Sequence, residues 1–230
     1  MQIAIHFDVI CPWCFIGLRR LRAAIARRAG LTPSLVWRPY FLNPDLPDSG
    51  IEFPVYIERK FGGALRGKRL LNSLEDIGRS LGIRFAFDAI RRVPPTLDAH
   101  RVIRLAHRFG VQTEVAEALF AAHFCQGRDI GDAEVLTAAA TRAGISETEV
   151  AAALADDALA DALRDEATAA QRSGTLGVPL FVLNDSFVIT GAHEPEVLVR
   201  MLDVATAGEE LAAAEPGNFS PQPRSRPTRP

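Results

Sequence analysis

Residues 2–14, QIAIHFDVICPWC, carry an apolar run straight into two cysteines three positions apart, and a helix-like run follows at once. The β-branched and aromatic residues at the start read as a strand over residues 2–10, with Ile3, Ile5 and Phe7 on one face. Pro12 suits the first turn of a helix, where its missing N–H costs no hydrogen bond. Apolar positions Ile16, Leu21, Ala24 and Ile25 then continue that helix until Gly30. SLVWRPYFLNP, residues 34–44, is a second strand running into a proline-rich loop. A strand-helix-strand crossover of this length makes the two strands parallel, which fixes the N-terminal segment as α/β.

From about residue 55 to residue 172 the pattern changes to successive helical periods, among them LLNSLEDIGRSLG, TLDAHRVIRLAHRFG and TEVAEALFAAHF. Several open on Thr, Ser or Asp and close near Gly, as capped helices do. Residues 178–191 alternate like a β-hairpin whose turn falls at Asn184 and Asp185, and EPEVLVRMLDVATAG supplies a last helix. The simplest organisation is one α/β domain built from residues 1–54 and 173–214, interrupted by an all-helical insertion over residues 55–172. Residues 215–230 are polar and proline-rich and read as a disordered tail.

Composition narrows the class. The chain has 230 residues, 48% of them hydrophobic, and a net charge of -2, which favours neither nucleic-acid backbones nor anionic membranes as partners. No stretch approaches the roughly 18 uninterrupted apolar residues of a membrane helix, and no signal-peptide pattern opens the sequence, so a cytoplasmic location is expected. Three cysteines do not make a secreted disulfide framework, and the CPWC pair is therefore catalytic or metal-binding.

Redox chemistry fits the spacing. A thiol attacks only as thiolate, and a cysteine at a helix start faces unpaired N–H groups and a dipole that favour the anion. Cys11 has that place and is the candidate nucleophile, and Cys14, a turn further in, is the more buried candidate resolving thiol. Zinc is the competing use of a CXXC. Completing it would need Cys125 and one of His6, His100, His107, His123 or His193, and the one close pair among these, His123 with Cys125 in HFC, is a poor match to a zinc knuckle, so no metal is expected. Pro179, in GVPLFVL, stands at the start of a strand where a proline cannot donate to a ladder; a cis Val178–Pro179 bond facing Cys11 would let the Val178 backbone pair with an extended substrate.

The segments DVICPWCFIG, VWRPYFLNP, TLDAHRVIRLAH, LFAAHFCQGRDI and GVPLFVLNDSFVITGAHEPEVL, in that order over nearly residues 1–205, resemble the DsbA-like thioredoxin-fold oxidoreductases, and within them the FrnE-like cytoplasmic branch. The resemblance implies a thioredoxin fold with a large helical insertion, Cys11 as nucleophile, Cys14 as resolving cysteine, and Val178 with Pro179 as the cis-proline loop. It implies a disulfide or dithiol substrate, protein or small molecule. It requires no cofactor, with glutathione a possible co-substrate and glutathione or a thioredoxin-type protein a possible recycling partner, in a monomer or homodimer. The uncharged Pro12 and Trp13 between the cysteines suggest a potential between about -270 mV, that of thioredoxin, and about -120 mV, that of the strongest oxidants.

Pro12, Trp13 and His100 are the further candidates for substrate contact, His100 because the resemblance brings its helix over the cleft. Asp8 is expected either to cap local backbone at the strand end or to accept the proton of Cys14. Cys125 reads as a small buried residue. The alternatives are a glutathione-dependent isomerase or transferase of the 2-hydroxychromene-2-carboxylate isomerase or kappa type, whose members typically carry serine at the position of Cys11, and a thioredoxin-like binding or chaperone module.

Overall fold

The first strand, β1 (Gln2–Phe7), ends three residues before the expected boundary, because the Cys11 N–H turns back to the Asp8 carbonyl at 3.0 Å. The computed structural model describes residues 1–214, with side chains through residue 208; the expected tail over residues 215–230 lies outside the described residues. After β1 come α1 (Pro12–Ala26) and β2 (Ser34–Pro39), and β2 pairs parallel to β1 with Ile5 opposite Trp37. The C-terminal part supplies β5 (Leu180–Leu183), β6 (Phe187–Thr190) and α9 (Pro195–Ala214). β5 lies antiparallel against β1, β6 antiparallel against β5, and the sheet order is β2-β1-β5-β6. This is the thioredoxin arrangement expected from the sequence. The hairpin turn falls where Asn184 and Asp185 stand, both with positive φ (50° and 54°), and the Ser186 N–H closes it on the Leu183 carbonyl.

Between the two halves run β3 (Ile51–Glu52), α2 (Phe53–Phe61), α3 (Ala64–Ser80), a 3-10 turn (Phe87–Ala89), β4 (Arg92–Val93), α4 (Leu97–His107), α5 (Gln112–Gln126), α6 (Ala133–Arg142), α7 (Glu147–Leu154) and α8 (Asp157–Arg172). Residues 55–172 are helical apart from β4 and the connecting turns; β4 pairs with β3, just ahead of that stretch, and so ties the loop after β2 to the turn before α4. α7 opens on a reciprocal cap, the Ser146 hydroxyl accepting from the Glu149 N–H while the Glu149 carboxylate accepts from the Ser146 N–H.

One core runs through both parts. Ile3, Ile5 and Phe7 are buried on one face of β1, as their alternation predicts. The Phe7 ring meets Trp37 edge-on at 4.5 Å and Phe120 of α5 at 6.1 Å, and Phe120 stacks on Phe15 of α1 at 5.2 Å. The insertion is therefore packed on the sheet and on the helix that carries the cysteines. Trp37 adds polar fixings: its backbone N–H donates to the Gln112 side chain at 3.0 Å and its indole N–H to the Thr113 hydroxyl at 2.9 Å.

Candidate active site

Cys11 is the N-cap residue of α1, with extended backbone (φ -97°, ψ 109°) and Pro12 at the first helical position. Its carbonyl accepts the first intrahelical bonds, from the Cys14 N–H at 3.0 Å and the Phe15 N–H at 3.4 Å. Its side chain makes no cap. The sulfur points across the sheet end instead, and its S–H donates to the Val178 carbonyl at 3.6 Å. The Val178–Pro179 bond is cis, and the Pro179 carbonyl accepts from the Gly191 N–H at 2.8 Å, anchoring this loop to the residue after β6. The Pro179 ring packs against α1 where the helix has a glycine, Gly17.

Cys14 lies 3% exposed. Burial, then the neighbouring Cys11 thiol, hold its own thiol well above the ordinary cysteine range; the Asp8 backbone pulls it down, and the Asp8 carboxylate charge pushes it up. Cys11, Cys14 and Cys125 are unbridged. Cys125, on α5, is partly buried, and desolvation raises its thiol as well.

Asp8 is fully buried. Its Oδ2 accepts from the Leu42 N–H at 2.8 Å, so the carboxylate caps backbone 34 positions away rather than locally at the strand end. Its Oδ1 has no hydrogen-bond partner and stands 3.6 Å from Nε2 of His100, which also lacks one. His100 was expected over the cleft. It lies 2% exposed behind Asp8, flanked by the rings of Phe7 at 4.9 Å and Phe41 at 5.2 Å, and faces the carboxylate instead of solvent. Trp13 is 36% exposed at the rim. Among the described residues, no three His, Cys, Asp or Glu side chains converge as metal ligands would.

Beside Cys11 opens a cavity of about 210 Å³ that the sequence did not disclose. Cys11, Pro12, Trp13 and Val178 form one part of its wall, and Phe53, Ile57, Leu74 and Phe87 form much of the rest. Three further lining residues carry polar groups, Tyr56 and Lys60 on α2 and His123 on α5. α2 had sequence signals, with Pro54 in its first turn and a left-handed C-cap at Gly62 (φ 70°). What it would pack against had none.

A thioredoxin-type sheet, a helical insertion packed over the active-site end, and a dithiol at the start of the first helix define a class of protein. The chain belongs to the DSBA-like thioredoxin domain family, which it matches over residues 2–203. It is 25% identical over 203 residues to YwbO of Bacillus subtilis, an uncharacterized protein, covering 88% of this chain and 96% of that one. A crystal structure described as a "probable DsbA oxidoreductase" from Streptomyces coelicolor superposes with a TM-score of 0.81 at 29% identity over 90% of each chain. The cytosolic disulfide reductase DsbM from Pseudomonas aeruginosa, solved with GSH, superposes with a TM-score of 0.61 at 18% identity, covering 93% of this chain and all (100%) of that one. No helix among the described residues is long and apolar enough to cross a membrane.

Proposed function

We propose that this protein is a thiol/disulfide oxidoreductase in which Cys11 is the nucleophile and Cys14 the resolving thiol. The observation that carries the reading is the placement of Cys11: its sulfur sits at the N-cap of α1, 3.6 Å from the Val178 carbonyl, with the buried Cys14 a turn behind it. Cys11 thus stands at the N-terminal, positive end of the α1 dipole. In the reducing direction, the Cys11 thiolate attacks one sulfur of a substrate disulfide and expels the other as thiolate. Cys14 then attacks the Cys11 sulfur, closing the Cys11–Cys14 disulfide and releasing the second substrate thiol, and two electrons pass from dithiol to substrate. The reverse sequence oxidises a dithiol.

The second step needs a base, because the Cys14 thiol is held protonated by burial. Asp8 is the group in place: a buried carboxylate with one free oxygen, backed by His100 at 3.6 Å. Val178, with Pro179 behind it, offers backbone to an extended substrate, and Pro12 and Trp13 form the rim that a substrate crosses. Glutathione or a thioredoxin-type protein is the proposed recycling partner, consistent with a relative solved with GSH. The FrnE-like character of the segments and the cytosolic DsbM relative support a cytoplasmic setting, in which the chain acts as a monomer or homodimer.

A glutathione redox titration of the Cys125→Ser protein, read by thiol alkylation and mass, tests the reading. A reversible two-electron transition between the potentials of thioredoxin and of the strongest oxidants is expected. A pair that never closes under oxidising glutathione sinks the mechanism.

A further inference from the structure

The cavity beside Cys11 has features that the dithiol chemistry alone does not use. It is apolar, small and partly open to solvent: an engineered cavity of about 150 Å³ holds one benzene ring, and this one measures about 210 Å³. That is room for a single substituted ring. The Cys11 sulfur is on its wall, so whatever fills it is attached to, or adjacent to, the sulfur under attack.

Its charge is one-sided. No carboxylate lines it, and Lys60 is its one basic side chain apart from His123. Lys60 makes none of the ion pairs of the described residues. Its ammonium donates to the Asn43 side-chain oxygen at 3.2 Å and rests 5.1 Å from the Tyr56 ring, and Asn43 in turn donates to the Tyr56 hydroxyl at 3.2 Å. A neutral amide and a ring hold the ammonium at the exposed rim of the cavity, where no lining carboxylate competes for it, which suits an anionic ligand group. His123 supplies a second point of recognition. It is 1% exposed, its Nδ1 has no partner, and burial lowers its pKa to about 4, so at neutral pH the wall carries an uncharged imidazole with an unsatisfied nitrogen.

We propose that this cavity is a specificity site for small disulfides whose sulfur bears a single aromatic ring with a carboxylate, the ring filling the apolar space and the carboxylate pairing with Lys60. The proposal rests on the redox reading above and names its substrate class. The Cys11 thiolate attacks the ring-bearing disulfide, forming a Cys11–S–S–aryl bond and expelling one aryl thiolate. Cys14 gives up its proton and displaces the second aryl thiolate, leaving the Cys11–Cys14 disulfide for an external thiol such as glutathione to reduce.

The test isolates the first attack in the full-length Cys14→Ala, Cys125→Ser protein, with rates measured by stopped flow or by mass. The probes are 5,5′-dithiobis(2-nitrobenzoate), the neutral 4,4′-dithiodipyridine and 2-hydroxyethyl disulfide, which has no ring. Lys60→Met is expected to lower the rate ratio of the carboxylated to the neutral aryl disulfide by up to about fivefold, the upper range for an exposed ion pair. Lys60→Arg keeps the ratio, and Arg200→Met, on α9 and outside the lining of this cavity, does not move it. Leu70→Trp, which fills the space from α3, slows both aryl disulfides relative to 2-hydroxyethyl disulfide. A ratio that Lys60→Met leaves unchanged overturns the proposal while the redox reading stands, and so does equal slowing of all three probes by Leu70→Trp. Failure of Cys11 to attack any of the three sinks the redox reading and this proposal with it.

Discussion

Gly17 is where α1, the helix carrying both cysteines, comes closest to the loop that faces them, and replacing it with alanine sets two well-measured effects against each other. A methyl built on Gly17 lies 2.9 Å from Pro179 Cγ, 3.2 Å from Phe181 Cζ and 3.5 Å from Ala192 Cβ. Carbon pairs settle at about 3.5–4.0 Å, so the first two contacts demand roughly 0.6 Å and 0.3 Å of movement. Both obstacles are rings packed in a core, with no flexible end to swing aside. Helix propensity favours alanine over glycine by about 1 kcal/mol, whereas overpacking a filled interior costs about 1–3 kcal/mol. Their difference is a destabilisation of up to about 2 kcal/mol, or a Tm lower by up to about 8 °C for a chain of this size. The displacement also moves Cys11 away from the Val178 carbonyl. With a misplacement of 1 Å costing about 100-fold, half of that predicts a loss of about tenfold in the rate of attack on 4,4′-dithiodipyridine. Urea denaturation and stopped-flow thiol release measure the two quantities on one preparation. A Gly17→Ala protein that is more stable by about 1 kcal/mol and reacts at the parental rate would refute the reasoning, because helix propensity would then be acting with no steric opponent.

Asp8→Asn keeps an acceptor for the Leu42 N–H but removes the group that takes the Cys14 proton. The mixed disulfide on Cys11 should then persist about 100-fold longer while its formation changes little, which quench-and-mass kinetics across pH would read; an unaltered lifetime removes Asp8 from the mechanism. His123 predicts a pH dependence of stability. Its folded pKa of about 4 lies below the ordinary 6.5, so the unfolded chain binds a proton that the folded one refuses. The stabilisation is complete above that ordinary value and is lost as pH falls toward 4, by up to about 3 kcal/mol. His6, also lowered by burial, contributes with the same sign. His123→Gln should flatten the fall in urea midpoint between pH 6.5 and pH 4.5, and an unchanged slope would count against a neutral buried His123.

What the sequence disclosed is what local physics dictates. The strand, Pro12 and the helical period after it placed Cys11 at a helix start, and Asn184 with Asp185 marked a turn because both residue types tolerate the positive φ found there. The parallel pairing of β1 with β2 followed from the length of the crossover. What the sequence withheld depends on partners distant along the chain. Asp8 looked like a local cap because nothing nearby names Leu42 as its donor, and His100 looked like a cleft residue because helical spacing does not say which side faces a buried carboxylate. β3 and β4 have two residues each, too short for an alternation to register. Lys60 and His123 drew no notice as a pair since α2 and α5 meet the same cavity only after the insertion folds back on α1.

The contact between Cys11 and Val178 spans 167 positions, and that interval is also a time. At about 5–20 residues per second, a ribosome that has just joined Cys11 takes roughly 8 to 33 s to reach Val178. Throughout it β1 lacks β5, the strand that completes its pairing, and the dithiol lacks the loop that faces it. The nascent chain therefore presents two unscreened thiols to its surroundings well before it is an enzyme, so that premature oxidation during synthesis is set against the arrival of one C-terminal strand.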